Sequence, residues 1–250
     1  MKRFIEICRA ELILFLRDFF GCFFTLAFPT MMLVLYGSIY GNAPLYAGAS
    51  VGMIDASLPA YCAMVAGVTG IMTFPITLAE YRDKKIYKRF DATPVGKGSV
   101  ICAQTVINVI MTFVGFMILL LTGIAVYDVH IPGRITSIFA SMVLSISAMF
   151  SIGFFFTAAA RDAKIVNLLC YLCYFIMIFL SGATVPDMLF PEGIKRIAAI
   201  LPMTYAVDLM QGMFAGHAIS EYTVEVAVLG GVTTIFVLTG AALYRRRDWS

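Results

Sequence analysis

Six long apolar runs dominate the pattern, at 19–40, 58–79, 100–126, 136–159, 165–183 and 224–244. Each approaches or exceeds the roughly 20 residues a helix needs to cross a bilayer, so six transmembrane helices are predicted. Two other apolar stretches do not fit that length. In 2–17, at about 100° per residue, Lys2, Glu6, Arg9 and Arg17 share one arc with Arg3 at its edge, while Phe4, Cys8, Leu12 and Phe15 fall elsewhere. A helix of this kind, here 1–18, lies on a membrane surface rather than crossing it; Glu11 points away from the charged arc and departs from the pattern. Segment 184–216 is apolar but interrupted by Pro186, Pro191 and Pro202. It divides into two short helical pieces and predicts a re-entrant hairpin, tolerated where protein or a cavity covers the freed backbone.

Composition agrees with this all-α integral membrane fold. Of 250 residues, 61% are hydrophobic and 13% charged, against about 25% charged in ordinary soluble domains. A water-soluble enzyme, a disordered chain and a nucleic-acid binder are thereby excluded, and 1–250 reads as one transmembrane domain. Of 18 Lys and Arg, 15 fall in segments 1–18, 80–99, 160–164 and 245–250; the alternate loops hold Arg134, Lys195 and Arg196. By the positive-inside rule both termini face the cytoplasm, which an even number of spans also requires.

The cores of the six runs contain no charged residue, and their polar exceptions, Gln104, Asn108 and Asn167, are neutral. Intramembrane charges usually mark ion sites and proton relays, so the energy source is expected outside the bilayer. No cleavable signal peptide is expected. Cys170 and Cys173 form a CxxC inside an apolar run and read as small hydrophobes rather than a redox or zinc pair. Gly48-Ala-Ser50-Val-Gly52 matches a nucleophile pattern but lies in an outer loop, and both histidines, His130 and His217, are also in outer loops. Gly96-Lys-Gly-Ser99 lacks the spacing of a phosphate loop, so no catalytic, cofactor or metal site is expected in this chain.

The most charged stretch holds nine charged residues between Glu80 and Lys97, interleaved with Tyr81, Ile86, Tyr87 and Phe90, and Pro94 ends any helix there. Such a surface suits docking on a soluble partner, or equally a solvated loop that attracts anionic lipid.

In their order and spacing these features resemble the membrane subunit (permease) of type-2 ATP-binding-cassette exporters. The resemblance rests on the surface helix, Phe28-Pro29 early in span 1, the loop ending Lys88-Arg-Phe-Asp-Ala-Thr-Pro-Val95, and the outer Ser181-Gly-Ala, Val185-Pro186 and Pro202-Met-Thr-Tyr-Ala-Val-Asp208. It implies that 80–97 is a coupling loop docking on an ATPase subunit through Glu80, Arg82, Lys85, Lys88, Arg89, Thr93 and Pro94, with Arg161 and Asp162 as a secondary contact. It implies paired re-entrant helices closing the outer end of a pathway, with Gly182, Pro186, Pro191, Pro202, Tyr205 and Asp208 in the gate. ATP and Mg would then be bound by the partner, a second permease copy or a homologous permease would complete the pathway, and the setting would be a bacterial plasma membrane. The Phe- and Met-rich walls suit an amphiphilic cargo: drug, antibiotic, peptide or lipid. A non-transporting anchor or sensor and an ion-coupled transporter are the competing classes. Two departures stand out: the family often has Gly before the Lys-Arg pair where this chain has Lys85, and Asn-Pro where this chain has Leu201-Pro202.

Overall fold

The structure is a computed structural model describing residues 2–43, 52–92, 96–184 and 190–246. The described residues form α1 (Lys2–Arg17), α2 (Phe19–Tyr40), α3 (Met53–Asp83), α4 (Ile86–Asp91), α5 (Gly96–Tyr127), α6 (Ile135–Ala159), α7 (Ala163–Leu180), α8 (Glu192–Ala198), α9 (Pro202–Phe214) and α10 (Thr223–Arg246). No strand occurs among them. Six helices, α2, α3, α5, α6, α7 and α10, are long and apolar enough to cross a membrane.

The bundle is organised around α3. In its most apolar stretch 89% of residues are buried, against 11% in α10, so α3 is the core and α10 a peripheral helix. α3 packs against α2, α5, α6, α7 and α9. It is longer than the run 58–79 because its first turn is stabilised locally: Asp55 Oδ2 accepts from the Gly52 amide at 3.2 Å, and Asn42 Oδ1 from the Ile54 amide at 3.2 Å. The 32-residue α5 buries Val100, Gln104, Ile107, Met111, Phe116 and Leu119, while Val106, Ile110, Val114, Met117 and Leu121 stay exposed. An apolar exposed face is what a helix solvated by lipid requires.

Two spans carry a widened π turn, Phe23–Ala27 in α2 and Val68–Thr73 in α3. Each lies directly before a Phe-Pro pair, Phe28-Pro29 and Phe74-Pro75. A proline ring clashes with the carbonyl four residues earlier and supplies no amide, and a π turn absorbs the misfit. Beside the second π turn, α3 and α6 approach backbone to backbone. A Cβ on Gly70 would lie 2.7 Å from the Met149 carbonyl carbon and the Phe150 nitrogen, and one on Gly153 would strike the Gly70 carbonyl oxygen.

The re-entrant element is the pair α8 and α9, which meet at 93°. Pro202 opens α9, where a missing amide costs nothing. The elbow is fastened by hydroxyls: Thr204 Oγ1 donates to the Ala198 carbonyl at 2.7 Å and Tyr205 Oη to the Ala199 carbonyl at 2.7 Å. α9 buries Met203, Leu209, Met210 and Met213 against α3, α6, α7 and α10. Cys170 is buried and, like Cys173, not in a disulfide; the Cys173 thiol lies 3.9 Å from the Met177 sulfur.

Candidate functional site: the basic end of the bundle

The basic segments converge on one end of the bundle, where α1, the C-terminus of α3, α4 and the α6–α7 turn meet. Lys85 enters α4 with φ +55°, in the left-handed region. A side chain there is strained by roughly 1–2 kcal/mol and glycine is not, which gives a physical sense to the glycine common at this place in the resembled family. α4 is short but anchored. Tyr87 is buried and its hydroxyl donates to Gln104 Oε1 of α5 at 2.9 Å; burial pushes its phenol up. The opposite face presents Lys85, Lys88 and Arg89, all exposed. Beyond it, Asp91 accepts from the Lys97 amide at 3.1 Å and pairs with its ammonium at 3.2 Å; this amide and cation hold the Asp91 carboxyl below its usual range. Thr93 and Pro94 lie outside the described residues.

Arg82 is placed differently from its basic neighbours. Its guanidinium turns into the bundle, where Nη1 donates to the carbonyls of Thr157 at 2.8 Å and Ala160 at 2.9 Å, closing the C-terminus of α6. Neighbouring Asp83 Oδ2 accepts the Ala163 amide at 2.8 Å and so caps the N-terminus of α7. Cations suit helix C-termini and carboxylates N-termini, so two successive residues grip both sides of the turn that carries Arg161 and Asp162. Those two are exposed. Glu80 pairs with Lys84 at 2.7 Å on the same helix.

Two positions at this end of the bundle escape the sequence pattern. Asp83 looks like one more loop charge until α7 is placed on it. Glu11, the residue that departs from the surface-helix arc, is 7% exposed and accepts a 3.3 Å hydrogen bond from the Tyr81 hydroxyl. Burial raises its carboxyl from 4.5 to about 7, and the Tyr81 and Gln104 side chains oppose that rise. Its misfit with the exposed arc was the signal in the sequence; its partners were not readable there.

At the opposite end, Gly182 has φ +80°, Pro191 precedes α8, Pro202 and Tyr205 form the elbow, and Asp208 is half-buried on α9. Pro186 lies outside the described residues. Among the described residues no group of three His, Cys, Asp or Glu is placed to hold a metal ion.

Six apolar spans, a bent re-entrant pair and an amphipathic N-terminal helix define a multi-pass membrane protein. The chain belongs to the ABC-2 type transporter family, whose profile matches residues 2–215. Over 236 residues, 92% of this chain and 83% of the relative, it is 25% identical to a probable doxorubicin resistance ABC transporter permease protein, DrrC, of Mycobacterium tuberculosis, found in two strains. It is also 35% identical over 71 residues, 28% of this chain and 27% of the relative, to nodulation protein J of Rhizobium leguminosarum bv. viciae. Family membership makes the chain a membrane subunit and implies an ABC ATPase subunit as partner.

Proposed function

We propose that this chain is the permease subunit of an ATP-driven exporter that moves an amphiphilic molecule outward from the cytoplasm or inner leaflet. Both termini and the basic end face the cytoplasm, and a second permease, identical or homologous, completes the pathway. ATP and Mg²⁺ are held by the partner ATPase. The observation that carries this reading is α4: one face is pinned to α5 through Tyr87 and Gln104, and the other offers Lys85, Lys88 and Arg89 to a soluble partner. A helix held on one side and free on the other can pass a push from the partner into the bundle. Arg82 and Asp83 extend that path, because moving the end of α3 moves the α6–α7 turn with it. Glu80, Arg161 and Asp162 complete the docking surface, with Thr93 and Pro94 assigned to it by sequence. The α8–α9 pair, with Gly182, Pro186, Pro191, Pro202, Tyr205 and Asp208, forms the outer gate.

The test is purification of the tagged chain in mild detergent from its native membrane, with identification of what accompanies it. A stoichiometric cassette ATPase with vanadate-sensitive turnover is expected. Charge reversal at Lys85, Lys88 and Arg89 together should uncouple turnover from transport while the protein still inserts. A preparation without ATPase or turnover would leave a membrane anchor or sensor instead.

A further inference from the structure

A cavity of about 480 Å³ lies beneath α1, walled by α1, α2, α3, α5 and α7. That volume is within the range, roughly 300–1,000 Å³, that encloses drug-sized molecules. Its polar wall carries several oxygen acceptors. Glu11 lies on it, and among the described residues no cation is within ion-pair distance of its carboxylate. Thr73 and Asn108, also on the wall, are 6% and 5% exposed, yet Thr73 Oγ1 and Asn108 Oδ1 have no hydrogen-bond partner. Asn108 Nδ2 donates to the Gln104 carbonyl at 2.9 Å, which fixes the amide orientation and leaves Oδ1 as the vacant acceptor. Asn167 Oδ1, from α7, is likewise unpartnered.

Buried polar oxygens without partners are rare in folded proteins, and three of them, on Thr73, Asn108 and Asn167, beside a Glu11 carboxylate that accepts only from neutral donors such as Tyr81 at 3.3 Å, call for a ligand rich in N–H. The remaining wall is apolar, with Phe15, Met72, Ile76 and Ile107. Of the two basic residues on the lining, Lys84 is already tied to Glu80 and Arg17 is exposed, whereas Glu11, Asp18 and Glu80 all line the cavity. An anionic head would therefore meet three carboxylates against two cations, whereas an ammonium would satisfy both charge and hydrogen bonding. We propose that this cavity binds a long-chain primary amine, its ammonium against Glu11, Thr73 and Asn108 and its chain along Phe15, Met72 and Ile76. That such a molecule is cargo rests on the exporter reading; the binding site does not.

Photolabelling of membranes containing the full chain tests this, using a twelve-carbon primary amine that bears a diazirine, with labelled peptides mapped by mass spectrometry. Label should concentrate in 11–21 and 72–77 and be displaced by dodecylamine but not by dodecyl sulfate. Glu11→Gln should lower it roughly tenfold, the scale of a lost charge-assisted hydrogen bond. Ile76→Trp, which fills the cavity and keeps the carboxylate, should abolish it. Label spread over the exposed face of α5 or α10, equal displacement by dodecyl sulfate, or label unchanged in both variants would overturn the assignment. A second arm adds the partner ATPase. Labelled cavity with no ATP-driven movement of the amine would keep the site and remove the exporter reading; ATP-driven export of another amphiphile with no label in the cavity would do the reverse.

Discussion

At the scale of single residues, two positions behave against their sequence character. Lys85 occupies a left-handed backbone conformation in an exposed turn. Lys85→Gly should therefore leave thermal stability in detergent unchanged or raise it by up to about 1 kcal/mol, since relieved strain is offset by greater unfolded-chain freedom. A β-branched residue there should lower it. Glu11 is faced by the hydroxyls of Tyr81 and Tyr87 and the amide of Gln104. Because its carboxyl is raised from 4.5 to about 7, the folded state holds the proton more tightly. Its stabilising contribution is fully present below about pH 4.5 and is lost as pH rises through 7. Deuterium exchange at 2–17, corrected for intrinsic rates, should show α1 better protected at pH 5.5 than at pH 8.5, and Glu11→Gln should remove the difference. The sequence marked Glu11 as a misfit but not as buried, because Tyr81, its hydrogen-bond donor, is 70 residues away.

At the scale of elements, the decisive contacts are backbone approaches and helix ends. The α3–α6 crossing tolerates no side chain at Gly70 or Gly153. Gly153→Val should destabilise the bundle by about 1–3 kcal/mol through overpacking, seen as a lower melting temperature and poorer yield. Arg82→Ala removes both donors from the end of α6, and Asp83→Asn weakens the cap on α7. Either change should raise deuterium exchange at 157–166 without altering insertion. An Arg82 turned outward would leave that exchange unchanged. Arg82 and Lys85 look alike in sequence, three residues apart in one charged stretch. The α6–α7 turn separates them, since it offers Arg82 two unsatisfied carbonyls and Lys85 none.

At the scale of the whole molecule, α2, α5, α6, α7 and the re-entrant α9 pack around the buried span α3, with α10 outside them and polar chemistry gathered at the basic end. The proposed orientation predicts that a green fluorescent protein fused after Ser250 is fluorescent in intact cells, and that an alkaline phosphatase fused after Arg134 is active. Reversed results would invert the topology and place the coupling residues on the wrong side for a cytosolic ATPase. Six spans on an all-α plan were legible because a bilayer imposes a length and an apolar face on each segment independently of the others. The broken helix pair was legible because Pro186, Pro191 and Pro202 divide one short apolar segment into pieces too short to span.

The sequence by itself therefore determined the number of spans, the re-entrant break and the segregation of basic residues into alternate segments. Each follows from local backbone chemistry or from the cost of burying charge in hydrocarbon. Tertiary structure alone decided which helix is the core, which loop cations face outward, that Asp83 caps α7, and that Glu11, Thr73, Asn108 and Asn167 surround one cavity. Those outcomes depend on pairing groups tens of residues apart, and whether a polar atom finds a partner is settled only when the helices pack.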